Sequence, residues 1–205
     1  PMDDIVRQAM AKWPNVPHCF GWLGLDARGH WYMRDDRTQA AGPFAAADGG
    51  TAASRGAVLR HDKLIEFIHR NYEHDDAGQW YFQNGPQRVY VELEATPWVM
   101  RIDAALAVHT HTGRPAQVRS AWTDEQGRVY LDTDIGFGLV HTLDVDLAAR
   151  AIESGLWSLH EAAAQDLPKR FAYVRSPQAL KALSARAMAA PALPGSKDSG
   201  NKKPA

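Results

Sequence analysis

Residues His74–Trp98, HDDAGQWYFQNGPQRVYVELEATPW, place two chain reversals and two alternating runs within one short stretch. Asp75-Asp76-Ala77-Gly78 has Asp first and Gly fourth, which suits a type I turn, and Asn84-Gly85-Pro86 marks a second reversal. Trp80 and Phe82, then Val89, Val91 and Leu93, alternate with polar or aromatic neighbours at the period of two of half-buried strands. The stretch reads as a β-meander.

The same turn recurs on both sides. Asp26-x-x-Gly29-x-Trp31-Tyr32, Asp75-x-x-Gly78-x-Trp80-Tyr81 and Asp124-x-x-Gly127-x-Val129-Tyr130 share one template, with glycines 49 residues apart. Glycine accepts the left-handed backbone at the end of each turn. The regularity suggests duplication. The intervening segments differ, however, since Asp62–Tyr72 reads as helix and the region around His111–Trp122 as strand. Three similar hairpins in a single sheet is therefore the preferred reading.

Outward from the meander, Asp3–Trp13 carries Ile5, Val6, Ala9, Met10 and Trp13 at helical spacing, and Asp62–Tyr72 sets Leu64, Ile65, Phe67 and Ile68 on one stripe with Asp62 as its expected cap. Cys19–Leu25 and His30–Arg34 form a first hairpin. Residues 38–56, rich in Ala and Gly, read as a flexible surface insertion without secondary structure. Trp98–Asp103 and Leu106–Thr112 continue as strands, Gln117–Trp122 and Arg128–Asp132 form a third hairpin, and Phe137–Leu143 adds a strand. A helix runs from Asp144 or Asp146 to Ile152, Phe171–Arg175 is a last strand, Pro177–Met188 is a helix, and 191–205 is expected to be a disordered tail. The expected architecture is α+β, a largely antiparallel meander and hairpin sheet with two or three packed helices. It forms one domain over residues 1–190, divisible into small lobes 15–98 and 99–176.

Composition narrows the partners. With 23 basic and 24 acidic residues among 205, the formal net charge is −1. No basic stripe steers the chain to nucleic acid or to an anionic bilayer. The single cysteine, Cys19, excludes intramolecular disulfides and thiolate-rich zinc sites, and points to a reducing, cytoplasmic setting. Asp3–Gln8 is acidic where a secretory leader would be basic, and no window approaches the roughly twenty apolar residues of a membrane span. A phosphate-binding P-loop, a dinucleotide fingerprint, a nucleophile elbow and a zinc-protease motif are all missing.

A strand, D-x-x-G-x-W-Y, a short helix, a second D-x-x-G-x-W-Y and a meander ending in Glu92-x-Glu94-Ala95-Thr96-Pro97-Trp98 together resemble uncharacterised domain-of-unknown-function proteins of proteobacteria. Thr110–Gly113, Ala121–Thr133, Gly136–Asp144 and Phe171–Pro177 are similar to the same group. The resemblance spans Met2–Pro177 and implies a bacterial cytosolic α+β protein. It carries over no activity, no cofactor and no catalytic residue.

Three constellations could carry chemistry. His109 and His111, two apart on a strand, could reach one cation with His141, Asp132 and Asp134 completing an open metal site. The pair lacks the following Glu of a cupin-type strand. It reads equally as polar residues alternating with inward Val108 and Thr110, or as part of a non-metal pocket. Glu92 and Glu94 share a strand face that reads as solvated, with Arg88 or Arg101 as cross-strand partners. The aromatic excess, including Trp22, Trp31, Trp80, Trp98, Trp122 and Tyr90, packs a core or offers a binding face. The favoured function is a non-catalytic binding or regulatory module for a small ligand or protein partner, with Trp80, Tyr90, Arg101, His111 and His141 as ligand-binding candidates. The alternative is an enzyme of unknown class, metal-dependent through the His/Asp set. Oligomeric state is left open.

Overall fold

The structure, a computed structural model, describes residues 2–192 and is α+β. The tail expected at 191–205 falls, from residue 193 on, outside the described residues.

Among the described residues, thirteen strands form two sheets. The first contains β1 (Cys19–Leu25), β2 (Trp31–Met33), β3 (Ala57–Val58), β4 (Tyr72–His74), β5 (Trp80–Asn84) and β6 (Gln87–Leu93). The second contains β7 (Trp98–Ile102), β8 (Val108–Thr110), β9 (Pro115–Ala116), β10 (Val118–Thr123), β11 (Val129–Thr133), β12 (Gly136–Val140) and β13 (Leu159–Glu161). Their orders are β3-β2-β1-β6-β5-β4 and β13-β10-β11-β12-β7-β8-β9. Most neighbours are antiparallel, while β1 with β6, β7 with β12 and β10 with β13 run parallel. The expectation of one sheet is thus corrected to two.

Read from the other edge, sheet 2 up to β10 repeats sheet 1 strand for strand. Leu23, Tyr32 and Met33 pair as Met100, His109 and Thr110 do 77 residues later: Leu23 opposes Met33, and Met100 opposes Thr110. The parallel seam matches too, with Leu23 beside Val91 and Met100 beside Val140. In the remaining three strands the offset is 49 residues, Tyr81 opposing Tyr90 as Tyr130 opposes Leu139. The repeat is of two six-stranded motifs, not of three hairpins in one sheet. Its first turn, Asp26–Gly29, corresponds to Asp103-Ala104-Ala105-Leu106.

Those turns have one mechanism. Asp26, Asp75, Asp103 and Asp124 each accept, through Oδ1, the backbone N–H groups two and four residues ahead, at 2.8–3.0 Å. The carboxylate satisfies amides that the tight reversal would otherwise strand. The fourth residue is left-handed: Gly29, Gly78 and Gly127 at φ 88°, 80° and 76°, and Leu106 at 65°.

One apolar cluster spans both sheets, running from Leu23, Trp31, Val91 and Leu93 in the first to Met100, Leu131 and Val140 in the second. Helix α1 (Asp4–Lys12) buries Val6. Residues 38–56 are not devoid of structure. Helices α2 (Asp36–Ala40) and α3 (Ala52–Arg55) flank Phe44, which is buried against the bare Cα of Gly24. Arg34, fully buried, donates to the carbonyls of Gly21, Gly42 and Ser54, fastening that segment to β1.

Helix α4 (Asp62–Arg70) buries Ile68, and its cap is His61, whose Nδ1 accepts from Leu64 N, not the expected Asp62. The remaining helices are α5 (Val145–Glu153), α6 (Leu167–Arg170) and α7 (Pro177–Ala189), the last capped by Ser176. Phe171–Arg175 is not a strand, since Ala172 turns left-handed at φ 53°. The parallel edge partner of β10 is β13. Among the described residues no helix is long and apolar enough to cross a membrane.

Candidate functional site

A concavity of about 490 Å³ lies in the seam between the sheets. Sheet 1 contributes Tyr72, His74 and Trp80; sheet 2 contributes Trp98, Arg119 and Asp132–Phe137; Arg114 and the segment Phe171–Tyr173 close the rim. Trp80 and Trp98 meet edge to face at 5.0 Å between ring centroids, and Tyr72 packs edge-on to Trp98 at 5.2 Å. Phe137 and Phe171 stack with centroids 3.9 Å apart. Two of these rings are fixed by hydrogen bonds: the Trp98 indole N–H donates to Ile135 O at 2.8 Å, and the buried Tyr72 hydroxyl donates to Pro97 O at 2.7 Å.

The β11–β12 hairpin forms one wall because its backbone can approach Trp98. A Cβ on Gly136 would sit 2.8 Å from Trp98 Nε1, so glycine is required there by contact as well as by its φ of 131°. Thr133 Oγ1 donates to Gly136 O at 2.6 Å, and Asp134 Oδ1 accepts from Gln117 N at 2.7 Å, pinning the hairpin to the start of β10.

Charge enters through five side chains, Arg114 and Arg119 against Glu73, Asp132 and Asp134. Arg114 and Arg119 are exposed at the rim, and Asp132 is half-buried. Burial pushes the Asp132 carboxyl above the ordinary range, against the pull of Arg119. Arg119 occupies a bulge: Val118 opposes Thr133 and Ser120 opposes Asp132, leaving Arg119 as the extra residue on β10. Such a bulge re-aims a side chain, and bulges concentrate beside binding sites.

Of the ligand candidates chosen from sequence, Trp80 alone lines this cleft, and it is joined by Asp132 and Asp134 from the metal set. The others are dispersed. Tyr90 stacks on Phe20 at 4.6 Å and donates to Asp75. Arg101 pairs with Asp144 at 2.7 Å, which also accepts Ile102 N; His141 caps the following turn by accepting Leu143 N. His109 is exposed on β8. His111 lies beyond the end of β8, its ring enclosed by Trp31, His69, Tyr72 and Trp98. Its Nδ1 accepts Val99 N, while Nε2 is buried with no partner among the described residues. Burial, and secondarily the neighbouring His69, push His111 down to about 3.

Accordingly, no three His, Cys, Asp or Glu side chains among the described residues converge on a metal position. The proposed metal set fails because the strand ends at Thr110, so His109 faces solvent while His111 turns into the core. Glu92 and Glu94 are also displaced from expectation. Glu92 is buried, accepting from Ser176 Oγ and Gln178 N, and Glu94 pairs with Arg55 at 2.9 Å instead of Arg88 or Arg101. Cys19 is packed, and burial raises its thiol. Trp98, Phe137 and Phe171 were legible as aromatic strand or near-strand positions. Nothing in the alternation pattern marks Arg119.

The sequence profile of a family described as "Protein of unknown function (DUF2946)" matches residues 2–178. Among solved structures, a DUF1285 family protein from Silicibacter pomeroyi DSS-3 is similar with a TM-score of 0.43 and 11% identity, over 72% of this chain and 84% of that one. A DUF1285 family protein from Shewanella baltica OS155 is similar with a TM-score of 0.41 and 15% identity, over 63% of this chain and 91% of that one. No curated protein matches.

Proposed function

Since this chain belongs to the family of unknown function whose profile spans it, we propose a role from the cleft itself: a non-catalytic binding or regulatory module that holds a small molecule between its two sheets. The observation that supports this is a cavity of about 490 Å³ walled by Trp80, Trp98, Phe137 and Phe171, a volume within the range of small-molecule pockets, with rings fixed before any ligand arrives. Pre-set aromatic walls spare the ligand the entropy of ordering its site. The setting we propose is the bacterial cytosol, consistent with a chain holding a single unpaired cysteine.

A small-molecule fragment screen by protein NMR tests the reading. Bound fragments should shift the indole N–H resonances of Trp80 and Trp98, and Ile135→Trp, which fills the cleft from its half-buried wall, should abolish those shifts. Binding confined to other surfaces, or surviving the plug, overturns it.

A further inference from the structure

Resting on the cleft reading above, we propose that the occupant is a planar ring compound carrying a carboxylate or phosphate, its ring against the aromatic wall and its anion between Arg114 and Arg119. Arg7, Arg55, Arg70, Arg101, Arg128 and Arg175 each pair with a carboxylate. Arg28, Arg37, Arg60, Arg150, Arg170 and Arg186 have no ion pair or side-chain hydrogen bond among the described residues, and neither do Arg114 and Arg119, the two arginines that border the cleft.

Arg119 is also there by construction. It is the extra residue of the β10 bulge, and its counterpart 49 residues earlier, Arg70, ends α4 and pairs with Asp3 instead. The bulge redirects one guanidinium of sheet 2 toward the cleft. A guanidinium binds carboxylate or phosphate oxygens through paired N–H donors, which makes two unpaired ones a receptor for an anion.

The body of the ligand follows from the walls. Trp80, Trp98 and Phe137, only 2–6% exposed, line the cleft together with Phe171, and this aromatic lining favours a flat apolar partner. Asp132 sets a limit. Half-buried and within the field of Arg119, it has no hydrogen-bond or ion-pair partner among the described residues, and together with Glu73 and Asp134 in the same lining it repels any second negative charge on the ligand. One anionic group at one end of a planar body satisfies all three features.

Four naphthalenes separate the outcomes: 2-naphthoate, 2-naphthyl phosphate, 2-naphthalenemethanol and 2-naphthylmethylammonium, each titrated while the Trp80 and Trp98 indole resonances are followed. At least one anion should bind tenfold or more tighter than the neutral alcohol, and which one binds tells carboxylate from phosphate. Arg119→Ala and Arg114→Ala, both exposed positions, should each weaken that anion at least fivefold, with Arg119→Glu weakening it further. Neither alanine variant should change binding of the alcohol. Equal or tighter binding of the alcohol or the ammonium overturns the anion assignment and leaves the cleft reading standing. No shift with any probe overturns both.

Discussion

Tyr130 donates its hydroxyl to Asp124 Oδ2 at 2.7 Å, joining the strand to the very turn that begins it. The turn's backbone uses Oδ1 of the same carboxylate, and Arg128 Nε reaches Oδ2 at 2.8 Å. Burial alone would raise this carboxyl, but the bonds from Tyr130 and Arg128 hold it below the ordinary range. Two other turns use the device: Tyr32 reaches Asp26 at 3.3 Å, and Tyr90, from the adjacent strand, reaches Asp75 at 3.2 Å.

A buried hydrogen bond to a charged group contributes about 1.5–3 kcal/mol. Tyr130→Phe should therefore lower unfolding free energy by about that amount in urea titrations, whereas Tyr32→Phe, with its longer and part-exposed bond, should cost less than about 1 kcal/mol. Equal losses would mean that burial does not set the strength of the bond.

Gly78 and Gly127 end equivalent turns at nearly equal φ, yet their surroundings differ. A Cβ at Gly127 meets nothing within 4 Å, while one at Gly78 would lie 2.2 Å from Ala172 O, the rim of the cleft. Gly127→Ala should cost only the left-handed strain, about 1–2 kcal/mol. Gly78→Ala should cost clearly more and shift the Trp80 indole resonance, because the 171–173 segment must move. A pair of variants matched in stability would contradict the contact.

The Asp75 and Asp124 turns could be recognised as equivalents from sequence because both keep glycine. The partner of the Asp26 turn could not, since Leu106 adopts the left-handed conformation with a side chain, and so the repeat aligned on the wrong 49-residue step. Helix α4, inserted in one copy only, hid the rest. Trp80, chosen as a ligand candidate, and Asp132 and Asp134, chosen as metal ligands, line the cleft. Arg119 did not announce itself, because a bulge breaks the alternation by which a facing residue is read. His109 and His111 misled for the related reason that a period of two holds only while the strand continues.

Arg34 places three N–H donors on three backbone carbonyls, at 2.7–3.0 Å, with the side chain out of solvent. Arg34→Met would leave Gly21, Gly42 and Ser54 oxygens buried without these donors, at about 1–3 kcal/mol each. Arg34→Lys should recover little of this, since one ammonium cannot span a fork set for a guanidinium. Hydrogen exchange should then rise first in residues 42–54, the segment that Arg34 ties down. Exchange rising uniformly would show that Arg34 acts on global stability alone.

His69 and His111 meet edge to face at 5.6 Å inside an aromatic shell, and both are held neutral. Burial depresses His69 to about 4 and, with the added field of His69, His111 to about 3, from an ordinary 6.5. The unfolded chain therefore binds more protons than the folded one between those values. Their contribution to stability is complete above about pH 6.5 and is lost as pH falls toward 4 and then 3. Each such group gives a slope of about 1.4 kcal/mol per pH unit within its window. His69→Gln keeps an acceptor for the Trp31 indole N–H, now 2.8 Å from His69 Nε2, and removes the titration. Subtracting its pH–stability curve from that of the parent cancels the carboxylates, including buried Glu92, whose raised pKa works in the opposite direction. The difference should slope by about one proton between pH 4.5 and 6 and flatten above 6.5. A difference curve level across that range would mean that the His69 ring is protonated in the folded protein, and the enclosed pair would have to be rebuilt around a charge.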